Sequence, residues 1–330
     1  MNLTAEQENI LISLLQKKFP LVSRPFLTLS ENIGLKEEQV LTILKKWQEE
    51  GKLRQISAIF NPSFFQHKSS LFAFKVKEGQ LGKAIEIINA HPGVSHNYLR
   101  NYIYNLWFTL VVPPDVDLLK EVEKLFQLSG AEEYLFLPIL KVYKIAVIFE
   151  QENSVNEQEI LPLEISEKST PILNFSERDI EFVKILQEPL PLTFYPFKEI
   201  AKKLDTSEEE LFLWLEEMKK KGGLRRFAAL FKHEKLGFKE NIMVAWRVPE
   251  NRIEEVVNKF STYQFITHCY KRKSYPHFPY NLYTMCHFKK DGEEVIKELS
   301  QELKIPNYLP LKTIKELKKI RLRLFYKVIN

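Results

Sequence analysis

The chain repeats itself. Gly51-Lys-Leu-Arg-Gln-Ile-Ser-Ala-Ile-Phe60 is echoed by Gly222-Gly-Leu-Arg-Arg-Phe-Ala-Ala-Leu-Phe231. Val94-Ser-His-Asn-Tyr-Leu-Arg100 is echoed by Ile266-Thr-His-Cys-Tyr-Lys-Arg272, and Asn105-Leu-Trp-Phe-Thr109 by Asn281-Leu-Tyr-Thr-Met285. Leu137-Pro138 returns as Leu309-Pro310. The matches are collinear, so the fold is a unit that occurs twice. The spacing grows by four residues within Lys273–Tyr280, an insertion confined to the second copy.

Both copies read as the same succession of elements. A first helix (Thr4–Lys17; Ser176–Gln187) precedes a short one (Leu27–Ile33; Phe197–Leu204) and a third (Lys36–Glu50; Ser207–Lys221). The third stops at Gly51 or Gly222, where a helix C-terminal glycine belongs. A wing follows from the strands Leu53–Phe60 and Leu224–Phe231. Next come a strand (Leu71–Lys77; Ile242–Val248), a helix (Leu81–Ala90; Arg252–Phe260), a hairpin (Val94–Val112; Ile266–Phe288), another helix and a last strand. This βαββαβ order is ferredoxin-like. The expected architecture is therefore α+β: a tandem duplication of a winged helix-turn-helix followed by a ferredoxin-like domain. Boundaries are expected at 1–65 and 66–150 for copy one, and at 175–240 and 241–330 for copy two. The polar, acidic stretch 151–174, with Pro162 and Pro171, reads as a linker.

A hydrophobic content of 45% lets each copy bury a core, and ten glycines leave little for Gly-rich phosphate loops. The formal charge of +5 is a weak excess for 330 residues and does not demand a nucleic acid. Two cysteines make no disulfide framework and fit a reducing, cytoplasmic setting. The acidic amphipathic start is unlike a signal peptide, and no run approaches a membrane span.

A winged helix beside a ferredoxin-like domain resembles the Lrp/AsnC transcription regulators, which makes DNA the first partner to test. The third helices argue against it. Their N-terminal residues would meet bases and phosphates. Here they are Lys36-Glu-Glu-Gln39 and Ser207-Glu-Glu-Glu210, and carboxylates there oppose the counterion release that drives DNA binding. The same acids also suit a helix N-terminus. Leu211-Phe-Leu-Trp-Leu215 makes the second of these helices apolar around most of its girth, so burial against protein is expected.

The richest stretch is the hairpin of copy two. Strand alternation puts His268, Tyr270 and Arg272 on one face, and Asn281, Tyr283, Met285 and His287 on one face of the return strand. A hairpin centred near His277 sets His268 opposite or near His287. His268-Cys269 and Cys286-His287 suggest zinc, but neighbouring strand residues point apart and four ligands do not converge. Cys269 and Cys286 read as core and no metal is expected. Arg225 and Arg226 open a strand that is otherwise apolar. A cationic, aromatic face of this kind suits a flat polyanion.

At these residues the chain resembles the siroheme decarboxylases. The resemblance is carried by Gly223-Leu-Arg225-Arg226-Phe-Ala-Ala-Leu-Phe231, Lys235-Leu-Gly237-Phe, Val244-Ala-Trp246-Arg-Val-Pro249, Thr267-His268-Cys269-Tyr270-x-Arg272 and Pro279-Tyr280-Asn281-Leu-Tyr-Thr-Met285-x-His287, followed by Leu309-Pro310 and Lys318 onward. It covers nearly the whole chain, one family unit per copy, and is similar to the fused form serving heme d1 synthesis. The resemblance implies loss of carbon dioxide from two acetate side chains of siroheme, giving 12,18-didecarboxysiroheme, for heme d1 or the alternative heme route. It implies siroheme as partner, with other heme d1 biosynthesis proteins as possible ones. No cofactor is needed beyond the substrate's own iron. Neither DNA nor a membrane is expected as a partner. The two copies are expected to pair within one chain, with higher oligomers open.

His268 and His287, titrating near neutral pH, are the expected proton donors. Arg225, Arg226, Tyr270, Arg272, Tyr280 and Met285 are the expected substrate contacts. Copy one departs from this set: Gln55 replaces Arg226, Val111 replaces His287 and Thr109 replaces Met285. Arg54, His96, Tyr98 and Arg100 remain, as a second site or as support for the first. A regulator, or a tetrapyrrole-binding protein without chemistry, is the alternative.

Overall fold

A computed structural model describes residues 3–145, 175–231, 240–288 and 290–327. The expected linker 151–174 and the Lys235–Phe238 element lie outside the described residues. The chain divides into two compact units, and each draws on both copies. The first comprises residues 1–67, 173–235 and 323–325; the second comprises 68–172, 236–322 and 326–330.

The first unit pairs the two helix-turn-helix segments. Copy one supplies α1 (Ala5–Lys17), α2 (Pro25–Asn32), α3 (Glu37–Glu49) and β1 (Leu53–Phe60). Copy two supplies α6 (Glu177–Leu186), α7 (Pro196–Lys203), α8 (Glu208–Lys221) and β7 (Leu224–Phe231). Local chemistry sets the helix ends. Thr4 with Gln7, and Ser176 with Asp179, form reciprocal capping boxes. Pro25 and Pro196 occupy first-turn positions that lack a bonded N–H anyway. Gly222 closes α8 at φ 82°, a left-handed backbone that favours glycine.

Two expectations change in this unit. The wing is not a hairpin within each copy: β1 pairs antiparallel with β7 of the other copy, Ser57 facing Ala228. Nor is α8 buried around its girth. Leu211, Leu215 and Met218 are buried, whereas Leu213 is 61% exposed. One acid at the N-terminus of each third helix is tied to a side chain of copy one. Ser23 donates to both carboxylate oxygens of Glu208 at 3.0 Å. Arg24 pairs with the buried Glu37 and lies 5.5 Å from the Tyr195 ring of copy two.

The second unit is a closed sheet wrapped by helices. Copy one contributes β2 (Lys68–Lys75), α4 (Leu81–Ala90), β3 (Val94–Arg100), β4 (Leu106–Val112), α5 (Leu118–Ser129), β5 (Glu133–Leu137) and β6 (Ile139–Ile145). Copy two contributes β8 (Glu240–Trp246), α9 (Ile253–Thr262), β9 (Ile266–Arg272), β10 (Leu282–Phe288), α10 (Gly292–Glu302) and β11 (Tyr308–Lys319). The strand order is β5-β2-β4-β3-β11-β8-β10-β9-β6. Its two end strands, β5 and β6, are separated in the chain only by Pro138, so the sheet closes on itself.

Closure works by exchange. β5 pairs with β2 of its own copy, and after Pro138 the chain crosses to pair as β6 with β9 of the other. β11 does the same without a break: Tyr308–Lys312 pair with β8 and Thr313–Lys319 with β3. Both crossing strands carry two bulges, at Leu140 and Tyr143 and at Ile314 and Leu317. Extra residues of this kind bend a strand and let it change partners.

Strand alternation sorts the side chains. The outer faces bury separate cores under each copy's helices. The inner face holds one shared core, with Ala73, Trp107, Leu135 and Leu137 from copy one and Met243, Ala245, Phe278, Tyr283 and Leu311 from copy two.

Candidate active site on the inner face of copy two

The site is built on β9 and β10. Cys269 and Cys286 fall on the outer face, fully buried under α9 and α10, and burial pushes both thiols up, Cys286 to about 12. His268, Tyr270, Met285 and His287 therefore point inward. Among the described residues no cluster of three His, Cys, Asp or Glu side chains exists to hold a metal.

The register differs from expectation. His268 faces Met285, Tyr270 faces Tyr283, and a bulge then sets Cys286 against Ile266. The two histidines are therefore diagonal neighbours flanking Met285, not an opposed pair. The bulge frees Thr267, whose hydroxyl donates to the Met285 carbonyl at 3.3 Å. Thr267 Oγ1 also lies 2.8 Å from His268 Nδ1, so the two share a hydrogen bond that orients the ring. The His268 ring lies 5.9 Å from that of Tyr270.

Burial, reinforced by the nearby charge of His287, depresses the His268 pKa to about 4. His268 is neutral at pH 7 and does not titrate near neutrality as expected from the sequence.

Arg272 lies beside Tyr270. Its guanidinium is buried, stacks at 5.2 Å on Tyr270 and at 5.8 Å on Tyr283, and donates to the Leu137 carbonyl at 2.6 Å. Burial lowers its pKa to about 10, so it stays charged. One N–H thus ties Arg272 to the strand crossing at Pro138, while its buried Nε has no hydrogen-bond partner. Arg100 repeats the arrangement in copy one, donating to the Leu311 carbonyl at 2.5 Å and to Thr313 at 3.3 Å.

Tyr280 sits beyond the other end of β10, against Phe278 at 4.9 Å, far along the strand from His287. The four-residue insertion explains Phe278, which the sequence did not single out. It is fully buried among Tyr102, Tyr104 and Trp107 of copy one, at 6.0 to 6.2 Å. Tyr275 braces it by donating to the Phe136 carbonyl at 2.6 Å.

Copy one repeats part of the array. Ser95 contacts His96 Nδ1 at 2.9 Å, and His96 stacks on Tyr98 at 6.3 Å. His96 faces Thr109, and Val111 occupies the position of His287. Arg54 and Arg225 are exposed on β1 and β7, in the first unit, and Arg225 donates to Asn61 at 3.2 Å. Arg226 is half-buried beside Ile59 on the same strand pair. The structure thus brings together His268, Met285, His287 and Tyr270, with Arg272 stacked on Tyr270, and holds Tyr280 apart from His287.

Comparison with known proteins places this arrangement. The profile of the siroheme decarboxylase NirDL-like helix-turn-helix domain matches residues 8–54 and 179–225, and that of the AsnC-like ligand binding domain matches 65–144 and 235–318. The siroheme decarboxylase of Hydrogenobacter thermophilus is 36% identical over 96% of this chain and 94% of its own length. The siroheme decarboxylase NirDL subunit of Paracoccus denitrificans is 27% identical over 86% of both. A crystal structure of the siroheme decarboxylase NirDL in complex with an iron-uroporphyrin III analogue is similar at a TM-score of 0.76 and 32% identity, over 97% of this chain and 95% of that one. Two family units in one polypeptide, matched along nearly their whole length, mean that the chain belongs to the siroheme decarboxylase family.

Proposed function

We propose that this chain is a carboxy-lyase that removes the carboxylates of two acetate side chains of siroheme, yielding 12,18-didecarboxysiroheme for heme d1 or the alternative heme route. The carrying observation is the pair of inward histidines flanking Met285 in copy two, within a fold shared along its length with siroheme decarboxylases. In the reaction the bond between the acetate methylene and its carboxylate breaks. The electron pair stays on the methylene carbon, carbon dioxide leaves, and a proton completes the methyl group. No electron is gained or lost, so no cofactor is required beyond the substrate.

The proton donor is His287. His268 is held neutral by burial, which leaves His287 as the histidine of this face to supply the proton. Met285 and Tyr270 present soft and aromatic surface to a flat macrocycle. Arg272, charged and stacked on Tyr270 with one N–H bonded to Leu137 and its Nε unpartnered, is the candidate on this face for pairing a substrate carboxylate. The regulator alternative is disfavoured by the carboxylates at the α8 N-terminus, Glu208, Glu209 and Glu210, which would oppose phosphate. No helix among the described residues is long and apolar enough to cross a membrane. The two buried free cysteines suit a cytoplasmic setting.

The test is to incubate purified protein with siroheme without oxygen and follow product mass. Loss of two carbon dioxide units supports the reading; unchanged siroheme refutes it.

A further inference from the structure

The ladder places Asn241 of β8 directly beside His287. Both are on the inner face, because their neighbours Ile242 and Cys286 lie in the outer core. The Asn241 Oδ1 atom is buried and accepts no hydrogen bond. A buried acceptor left without a donor keeps its full desolvation cost, so its retention calls for a reason. The surroundings supply one. Across the sheet a polar row runs through His287, Asn241, Thr313 and Arg100, with Thr313 Oγ1 donating to the Asn241 carbonyl at 3.4 Å and accepting from Arg100. The equivalent row in copy one runs through Val111 and Ser69 to the β5–β6 crossing at Ile139 and Arg272. Where the histidine is lost, the asparagine is lost with it.

We propose that Asn241 is a positioning residue: its Oδ1 accepts the N–H of the protonated His287 ring and holds that ring in the orientation that donates. A carboxamide is the fitting group. Its oxygen can face only a donor, and a substrate rich in carboxylates brings acceptors, so the donor must come from the protein. The titratable group facing His287 from β9 is His268. Glu240 and Lys312 turn to the outer side, bonded to the Gly292 N–H and to Glu293. Arg100 closes the far end of the row.

The role assigned to His287 rests on the proposed decarboxylase reading, and the test separates the two. The imidazole nitrogens of His287 are titrated by NMR, without substrate, in the wild type and in Asn241→Leu and Asn241→Asp. The expected result is a lower His287 midpoint in the leucine variant and a midpoint higher by about one pH unit or more in the aspartate variant. Unmoved midpoints in both overturn the proposal, whatever the protein does to siroheme. If the leucine variant does not fold, Asn241→Ser, which installs the copy-one residue, takes its place with the same expected direction. Where siroheme is turned over, the leucine variant should be slowed at least tenfold while its affinity for iron-uroporphyrin III stays within about threefold. An equal loss of rate and affinity would make Asn241 a substrate contact and refute the positioning role.

Discussion

At the scale of single residues, His268 shows what enclosure does to an imidazole. His268 is neutral in the fold, with a pKa near 4, and takes up a proton near 6.5 once unfolded. The unfolded chain therefore binds more protons between those values, and stability falls as pH drops from 6.5 to about 4. The lost contribution is about 3 kcal/mol at full depression. Urea midpoints at pH 7 and pH 4.5 should differ less in His268→Asn than in the wild type; an equal difference would place the acid sensitivity elsewhere. For catalysis, His287→Ala should slow decarboxylation by about 100-fold or more. His96→Ala should cost far less, because Val111 denies copy one a second histidine. Single-turnover rates of the two variants decide it. Residue identity showed which side chains share a face, since strand period alone settles that. It did not show how Arg272 is held: the carbonyl it donates to is Leu137 at the end of β5, in the other copy.

At the scale of elements, the helices were legible almost to their caps, because Thr4, Ser176, Ser207 and Gly222 act locally. The strands were legible as strands but not in their partners. β1 and β7 carry no turn between them, so nothing local announces their pairing. The hairpin insertion shows the same limit: its length could be counted, but its purpose depends on Tyr102, Tyr104 and Trp107 of the other copy. Phe278→Ala should therefore destabilise the second unit by about 3–5 kcal/mol, since the cavity lies inside a shared core. Chemical denaturation monitored by tryptophan emission would measure it, and a loss below 1 kcal/mol would mean the tip is dispensable.

At the scale of the whole molecule, the duplication read from sequence is an exchange in structure. Each copy ends its sheet with a strand that leaves to complete the other, through Leu137-Pro138-Ile139 on one side and Leu311-Lys312-Thr313 on the other. A protease site introduced between residues 150 and 170 should, when cut, leave both halves eluting as one particle. Halves expressed separately should fold only on mixing. Separate elution of the cut halves would show that exchange contributes little.

The same crossing has a consequence for descent. When two identical chains lend each other strands, every change in one appears in its twin, so a histidine lost from one face is lost from both. Joining the lenders in a single reading frame ends that coupling. One face could then carry Val111 and Ser69 where the other carries His287 and Asn241, and the two were free to diverge.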